Sequence, residues 1–165
     1  FLPYLTGERT PHLDPSARGA FMGLTSRHTL AHMTRAVMEG VAFSLRDSLE
    51  IMRKLEVPME QVLAVGGGAR SSLWRQLQAD VYNTPIHRTT ADEGPAYGAA
   101  LLGGVACGAY RDVGEACAQT ELREGVTLPQ SESVASYNRY YEVYRSLYAA
   151  NKDVMHRLPQ VSAGE

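Results

Sequence analysis

From residue 30 onward, apolar side chains recur every three or four positions: Leu30, Met33, Val37, Val41, Leu45, Leu49 and Met52, with Ser44 and Ser48 on the same flank. That spacing predicts one long amphipathic helix. The hydroxyls of Thr25, Ser26 and Thr29 offer it a start, and Val57-Pro58 ends it near Leu55. Gly40 lies in its interior, where glycine costs about 1 kcal/mol relative to alanine, so a close packing contact is expected there. Before this helix, residues 3–19 are rich in Pro, Gly, Thr and Asp without periodicity, which predicts a loop of several turns leading into a short strand at Ala20–Leu24.

The pattern changes after residue 60. Gln61–Val65 is a short β-prone run that stops at Gly66-Gly67-Gly68, and a helical pattern restarts at Ser71-Ser72 and continues to Tyr82. Thr84–Arg88 predicts a second strand, and Pro95 opens a helix of small residues, AYGAALLGGVAC. Strand, helix, strand, helix in that order implies an α/β unit with a right-handed crossover and a mainly parallel sheet flanked by helices. Residues 108–130 lose periodicity and are expected to form a connector. A final helix places Val134, Tyr137, Tyr141, Tyr144 and Tyr148 on one face, which predicts core packing rather than ring stacking on a nucleotide, and VSAGE is expected to be unstructured.

With 165 residues, 44% of them hydrophobic, the chain can build a globular domain with a real core. Sixteen basic residues against eighteen acidic ones give a net charge of -2. No basic stripe exists to meet a nucleic-acid backbone, so nucleic acid is not an expected partner. No apolar run approaches the roughly 18 residues of a membrane span, so no membrane partner is expected either. Cys107 and Cys117 lack CxxC spacing and read as reduced thiols of a cytoplasmic protein. The chain opens with Phe1-Leu2-Pro3-Tyr4 rather than Met, inside apolar sequence, which suggests a boundary within a longer chain.

The three glycines carry the candidate chemistry. A strand that ends in glycine and enters a helix leaves backbone N–H groups unpaired, with no Cβ to hold a ligand away, and the helix dipole adds positive potential. Ser71 or Ser72 can cap that helix or bond a ligand oxygen. A phosphate or nucleotide site and a tight turn forced by close helix–strand packing fit the residues equally well. GGGARS matches GxGxxG only with Ser71 in the last place, and Arg88-Thr89-Thr90 stands where a dinucleotide site needs an acid. GxxxxGK[ST] is absent. The small-residue helix Pro95–Gly104 can approach the turn or another helix closely. Asp14, Asp47, Asp80 and Asp92 are each explained as caps or solvated charges, so no catalytic residue is assigned. His28 and His32 are four residues apart but lack a third ligand for a metal, as do the other histidines.

Four blocks in order, PYLTGERTPHLDPSARGAFMGLT, RAVMEGVAFSLRD, VLAVGGGARSSLWRQLQADVYNTPI and EGPAYGAALLGGV, resemble the carboxyl-terminal lobe of the FGGY carbohydrate kinases. Within that family, GERTPHLDP, the GPAYGAA helix and the tyrosine-rich end look most like xylulokinases. The resemblance implies an actin-like ATPase (ribonuclease H-like) fold, α/β in class, whose two lobes close around ATP-Mg²⁺ and a sugar. It implies that residues 1–158 are the nucleotide-binding lobe, with the amino-terminal lobe and the first strands absent and 159–165 a disordered tail. The nucleotide contacts it implies are Gly67, Gly68 and Ala69, with Gly66 supporting the turn and Ser72 where the family often has Asn. The base acting on the sugar hydroxyl, and most sugar contacts, belong to segments that precede this chain in the family, so the chain alone is expected to be inactive. An uncovered sheet edge then predicts a homodimer or higher association. A standalone nucleotide-sensing or protein-interaction module, and a kinase for another sugar or polyol, are the alternatives.

Overall fold

A computed structural model describes residues 1–91 and 94–162, with side chains described up to 158. The chain divides into two compact units. The first comprises Phe1–Pro58, Asp80–Tyr82 and the segment from Gln130 onward; the second comprises Met59–Ala79 and Asn83–Pro129.

In the first unit, α1 (Leu30–Lys54) is the predicted long helix. The Thr29 N–H donates to His32 Nδ1 at 3.2 Å, so an imidazole fills the reciprocal place that Glu or Gln takes in most capping boxes. Arg53 and Lys54 in the last turn complement the helix dipole, and the left-handed Glu56 (φ 57°) turns the chain away. The buried flank of α1 is Gly40, Ala42, Phe43 and Asp47, rotated from the expected stripe, while Leu30, Leu45 and Met52 remain exposed. The rotation has a cause: α5 (Ser131–Ser162) lies against Phe43, whose ring centroid sits 5.3 Å from that of Tyr144 and 5.8 Å from that of Tyr141. Gly40 faces the backbone of Phe1, and a Cβ there would overlap the Phe1 carbonyl oxygen. The expected close contact is present.

The expected strand at Ala20–Leu24 is reduced to a single antiparallel bridge, in which Leu2 and Ala20 exchange hydrogen bonds of 2.9 and 3.2 Å. Gly23, at φ 79°, ends any extended run beyond it. The α5 helix reaches Ser162, into the segment expected to be disordered, and Ala163–Glu165 lie outside the described residues.

In the second unit, β1 (Val62–Ala64) and β2 (Ile86–Arg88) pair in parallel, with Val62 opposite Ile86 and Ala64 opposite Arg88. Between them run a 3₁₀ turn (Gly67–Arg70) and α2 (Ser72–Tyr82), whose last three residues count with the first unit. Asn83, left-handed at φ 49°, closes α2 and lets Pro85 lead into β2. The small-residue helix is α3 (Gly94–Ala106). The connector is more structured than its sequence suggested, because Asp112 caps a short α4 (Val113–Ala118) by accepting from Glu115 N–H at 2.8 Å. Further on, Leu122 and Thr127 bridge antiparallel to Thr89 and Ile86 and so line the free side of β2.

Candidate functional site

The glycine turn follows directly from β1. Gly66 has φ 73° and ψ -172°, a backbone conformation that a residue with a Cβ adopts only under strain. The 3₁₀ turn is closed by Ala69 N–H to Gly66 O and by Ser71 N–H to Gly68 O, both 3.1 Å. No hydrogen bond from the amides of Gly67 and Gly68 occurs among the described residues, and both glycines are exposed. Ser71 caps α2, its hydroxyl accepting from Trp74 N–H at 3.2 Å. Ser72, one residue on, is exposed at the first turn of α2.

These positions weigh the two readings left open by the sequence. If close packing required the three glycines, a Cβ on each would collide with a neighbour. A Cβ on Gly67 meets nothing within 4 Å, and one on Gly68 makes only ordinary contact with Trp74, at 3.4 Å. Gly66 is explained by its conformation, Gly67 faces open space and Gly68 is flanked by the Trp74 ring, and the N–H groups of Gly67 and Gly68 have no partner among the described residues. A strand end, free amides and the amino end of α2 together present a patch of positive potential suited to an anionic or polar ligand. Ala69 is held differently from the two glycines. It is buried, its N–H is used within the turn, and its carbonyl accepts from Arg75 Nη1 at 2.6 Å. Both backbone polar groups of Ala69 are thus engaged in holding the turn. The start of α3 also supports the region, because Gly94 lies so near Val65 that a Cβ would approach it at 2.8 Å.

The weighed carboxylates are not solvated charges. Asp14, Asp47 and Asp80 are all buried, and Asp92 lies outside the described residues. Asp14 Oδ2 accepts from Tyr148 Oη and pairs with His156 Nε2, each at 2.6 Å, while its Oδ1 accepts from Ser16 N–H at 2.9 Å. The Tyr148 bond first, and His156 next, hold the Asp14 carboxyl well below the usual carboxylate range. Asp47 accepts from Tyr141 Oη at 2.6 Å, but burial outweighs that bond and pushes its carboxyl up. Asp80 accepts from Gln130 N–H at 2.8 Å.

The tyrosine stripe packs as expected and also explains these acids. Tyr137 donates to Glu39 at 2.9 Å, beside the Arg35–Glu39 ion pair of 2.8 Å, and Tyr144 meets Tyr4 at 3.2 Å. A phenol hydroxyl buried without a partner costs about 1–3 kcal/mol, and Asp14, Glu39 and Asp47 supply partners to Tyr148, Tyr137 and Tyr141. His28 and His32 stand edge to face, 5.7 Å between centroids, with Nδ1 of each directed at Thr25 and Thr29. No cluster of three metal-binding side chains occurs among the described residues, and both cysteines are free. No helix among them is long and apolar enough to cross a membrane.

Sequence reasoning missed Trp74 and Arg75. The signal available was their spacing: six and seven residues beyond Gly68, one helical turn into α2, they face back toward the turn.

Residues 1–107 match the FGGY family of carbohydrate kinases, C-terminal domain. The xylulose kinase of Staphylococcus epidermidis is 42% identical over 155 residues, covering 93% of this chain and 31% of that protein. A ligand-bound xylulose kinase structure from Lactobacillus acidophilus superposes with a TM-score of 0.78 at 32% identity, over 92% of this chain and 31% of that one. A gluconate kinase structure from the same organism also superposes at 0.78 and 32% identity, over 91% of this chain and 30% of that one. The chain thus spans less than a third of the length of these relatives.

Proposed function

The chain belongs to the FGGY family of carbohydrate kinases and has their actin-like ATPase fold, and from that premise we propose that it forms the nucleotide-binding face of a xylulose kinase. The observation that carries the proposal is the glycine turn at the end of β1, with two amides that have no partner among the described residues and open space at Gly67. In this reading Gly67 and Gly68 approach the nucleotide through their backbone, Gly66 supplies the bend, Ala69 anchors the turn and the Ser72 hydroxyl reaches the nucleotide from α2. ATP, carrying Mg²⁺ on its phosphates, supplies the γ-phosphoryl group that passes to a hydroxyl of D-xylulose.

Phosphoryl transfer depends on in-line placement and charge neutralisation, with a base to take the hydroxyl proton. Asp14, Asp47 and Asp80 are each buried and bonded to Tyr148, Tyr141 or the Gln130 amide, which supports placing the base outside this chain. The sugar contacts are likewise assigned to the remaining part of a cytoplasmic enzyme. A gluconate kinase superposes as well as a xylulose kinase does, and this observation favours a second reading in which another sugar or sugar acid is the acceptor.

The test is ATP-dependent phosphorylation of D-xylulose, gluconate and glycerol by a full-length kinase carrying this chain, and by this chain alone. Preference for D-xylulose by the former with no turnover by the latter is expected. Preference for gluconate would transfer the assignment to the second reading, and turnover by the chain alone would contradict the missing base.

A further inference from the structure

The turn has more carbonyls than its own amides can satisfy. Gly66 O and Gly68 O are taken within the turn and Ser71 O by the first bond of α2, from Arg75 N–H. The carbonyl of Ala69 lies at a buried residue, where an unpaired acceptor is costly, and it is met by a guanidinium rather than an amide. Arg75 Nη1 donates to it at 2.6 Å, and Nε of the same side chain lies 3.4 Å from Thr127 Oγ1. Thr127 is itself fixed to β2 by two backbone hydrogen bonds of 3.0 Å with Ile86. A continuous path therefore runs from β2 through Thr127 and Arg75 to the turn that presents the Gly67 and Gly68 amides.

We propose that Arg75 is a positioning residue for the nucleotide site: its guanidinium pins the Ala69 carbonyl, and with it the direction of the Gly67 and Gly68 amides. The inference rests on the nucleotide reading above. A planar, permanently charged donor suits the task, since one face of the fork holds the turn while another reaches the neighbouring segment. The same charge adds to the positive potential on the turn. Trp74 is the single tryptophan of the chain, and its indole ring lies against Gly68 at 3.4 to 3.5 Å of where a Cβ would be.

The experiment is titration of a full-length kinase carrying this chain with Mg-ADP, read by calorimetry, for the wild type, Arg75→Met, Arg75→Lys, Thr127→Val and Thr127→Ser. Arg75→Met is expected to weaken ADP roughly tenfold or more, a factor equal to about 1.4 kcal/mol. Arg75→Lys recovers part of that loss, because an ammonium can still donate to the Ala69 carbonyl. Thr127→Val weakens binding about threefold, in keeping with one modest hydrogen bond, and Thr127→Ser restores it. Wild-type affinity in Arg75→Met, or equal losses in Met and Lys variants that keep the wild-type circular dichroism, overturns the proposal. If the Arg75 variants do not fold, identical affinity in wild type, Thr127→Val and Thr127→Ser overturns it. Failure of the wild type to bind would reject the nucleotide reading, and this inference would fall with it; binding that ignores Arg75 and Thr127 rejects the inference alone.

Discussion

Gly40→Ala places two ordinary rules in opposition. In a helix interior with free space, replacing glycine by alanine stabilises by about 1 kcal/mol through backbone entropy. At this position the new Cβ would overlap the Phe1 carbonyl oxygen, with the carbonyl carbon 3.1 Å away and the Phe1 ring edge 3.2 Å away. The obstacle is backbone rather than the end of a flexible side chain, so the Phe1–Leu2 segment must shift. It is held by the fully buried Leu2 and by two hydrogen bonds to Ala20. Overpacking costs about 1–3 kcal/mol, and complete undocking is bounded by the burial of one Leu side chain, about 1.5–3 kcal/mol. After subtracting the propensity gain, a net destabilisation of about 0–2 kcal/mol remains. Urea unfolding followed by circular dichroism measures it, with Gly98→Ala as the control. Gly98 lies in α3 with nothing within 4 Å of its Cβ position, so alanine there should stabilise. A Gly40→Ala chain more stable than the wild type would refute the packing argument.

Two buried carboxylates should give opposite pH signatures. Asp14 has its folded pKa lowered by Tyr148 and His156, so its stabilisation is present above the unfolded value of about 3.9 and is lost as pH falls below it. Asp47 has its folded pKa raised by burial, so its favourable contribution is present at low pH and is lost as pH rises through the folded value. Across roughly pH 3 to 7, Asp14→Asn should become progressively less stable than the wild type, and Asp47→Asn progressively more stable relative to it; urea midpoints with parallel pH trends would contradict both assignments. Association is a separate expectation: among the described residues β1 pairs only with β2, and Leu63 within it and Val65 just beyond it are exposed. Light scattering at high concentration should show a dimer or larger species, and a clean monomer would contradict this.

Where a periodic pattern coincided with a hydrogen-bonded element, the sequence was an adequate guide. The α1, α2, α3 and α5 helices and both strands of the parallel pair fall within a few residues of their predicted places. The buried flank of α1 was harder to read, because the helix is apolar on two sides and only the position of α5 selects between them. The strand at Ala20–Leu24 was overread, since β propensity cannot form a ladder without a partner and Gly23 breaks the run. The α4 helix escaped because it is six residues long and is defined more by the Asp112 cap than by periodicity. In the candidate site, the glycines were visible because an N–H without a Cβ above it is a local property. The role of Ala69 was not, since it depends on a guanidinium six residues along the chain and on Thr127 much further on. The acids illustrate the same limit: Asp14 and Asp47 resemble surface charges until the tyrosines of α5 are brought to them.

The most direct test of the account is the amide spectrum of ¹⁵N-labelled chain during titration with Mg-ADP. The account predicts saturable shifts largest at Gly67 and Gly68, smaller ones at Ser72, and their loss in Gly67→Val, whose side chain would occupy the open space above the turn. Unchanged Gly67 and Gly68 resonances in a folded chain at saturating nucleotide, or shifts confined to other elements, would contradict the claim that this turn holds ATP.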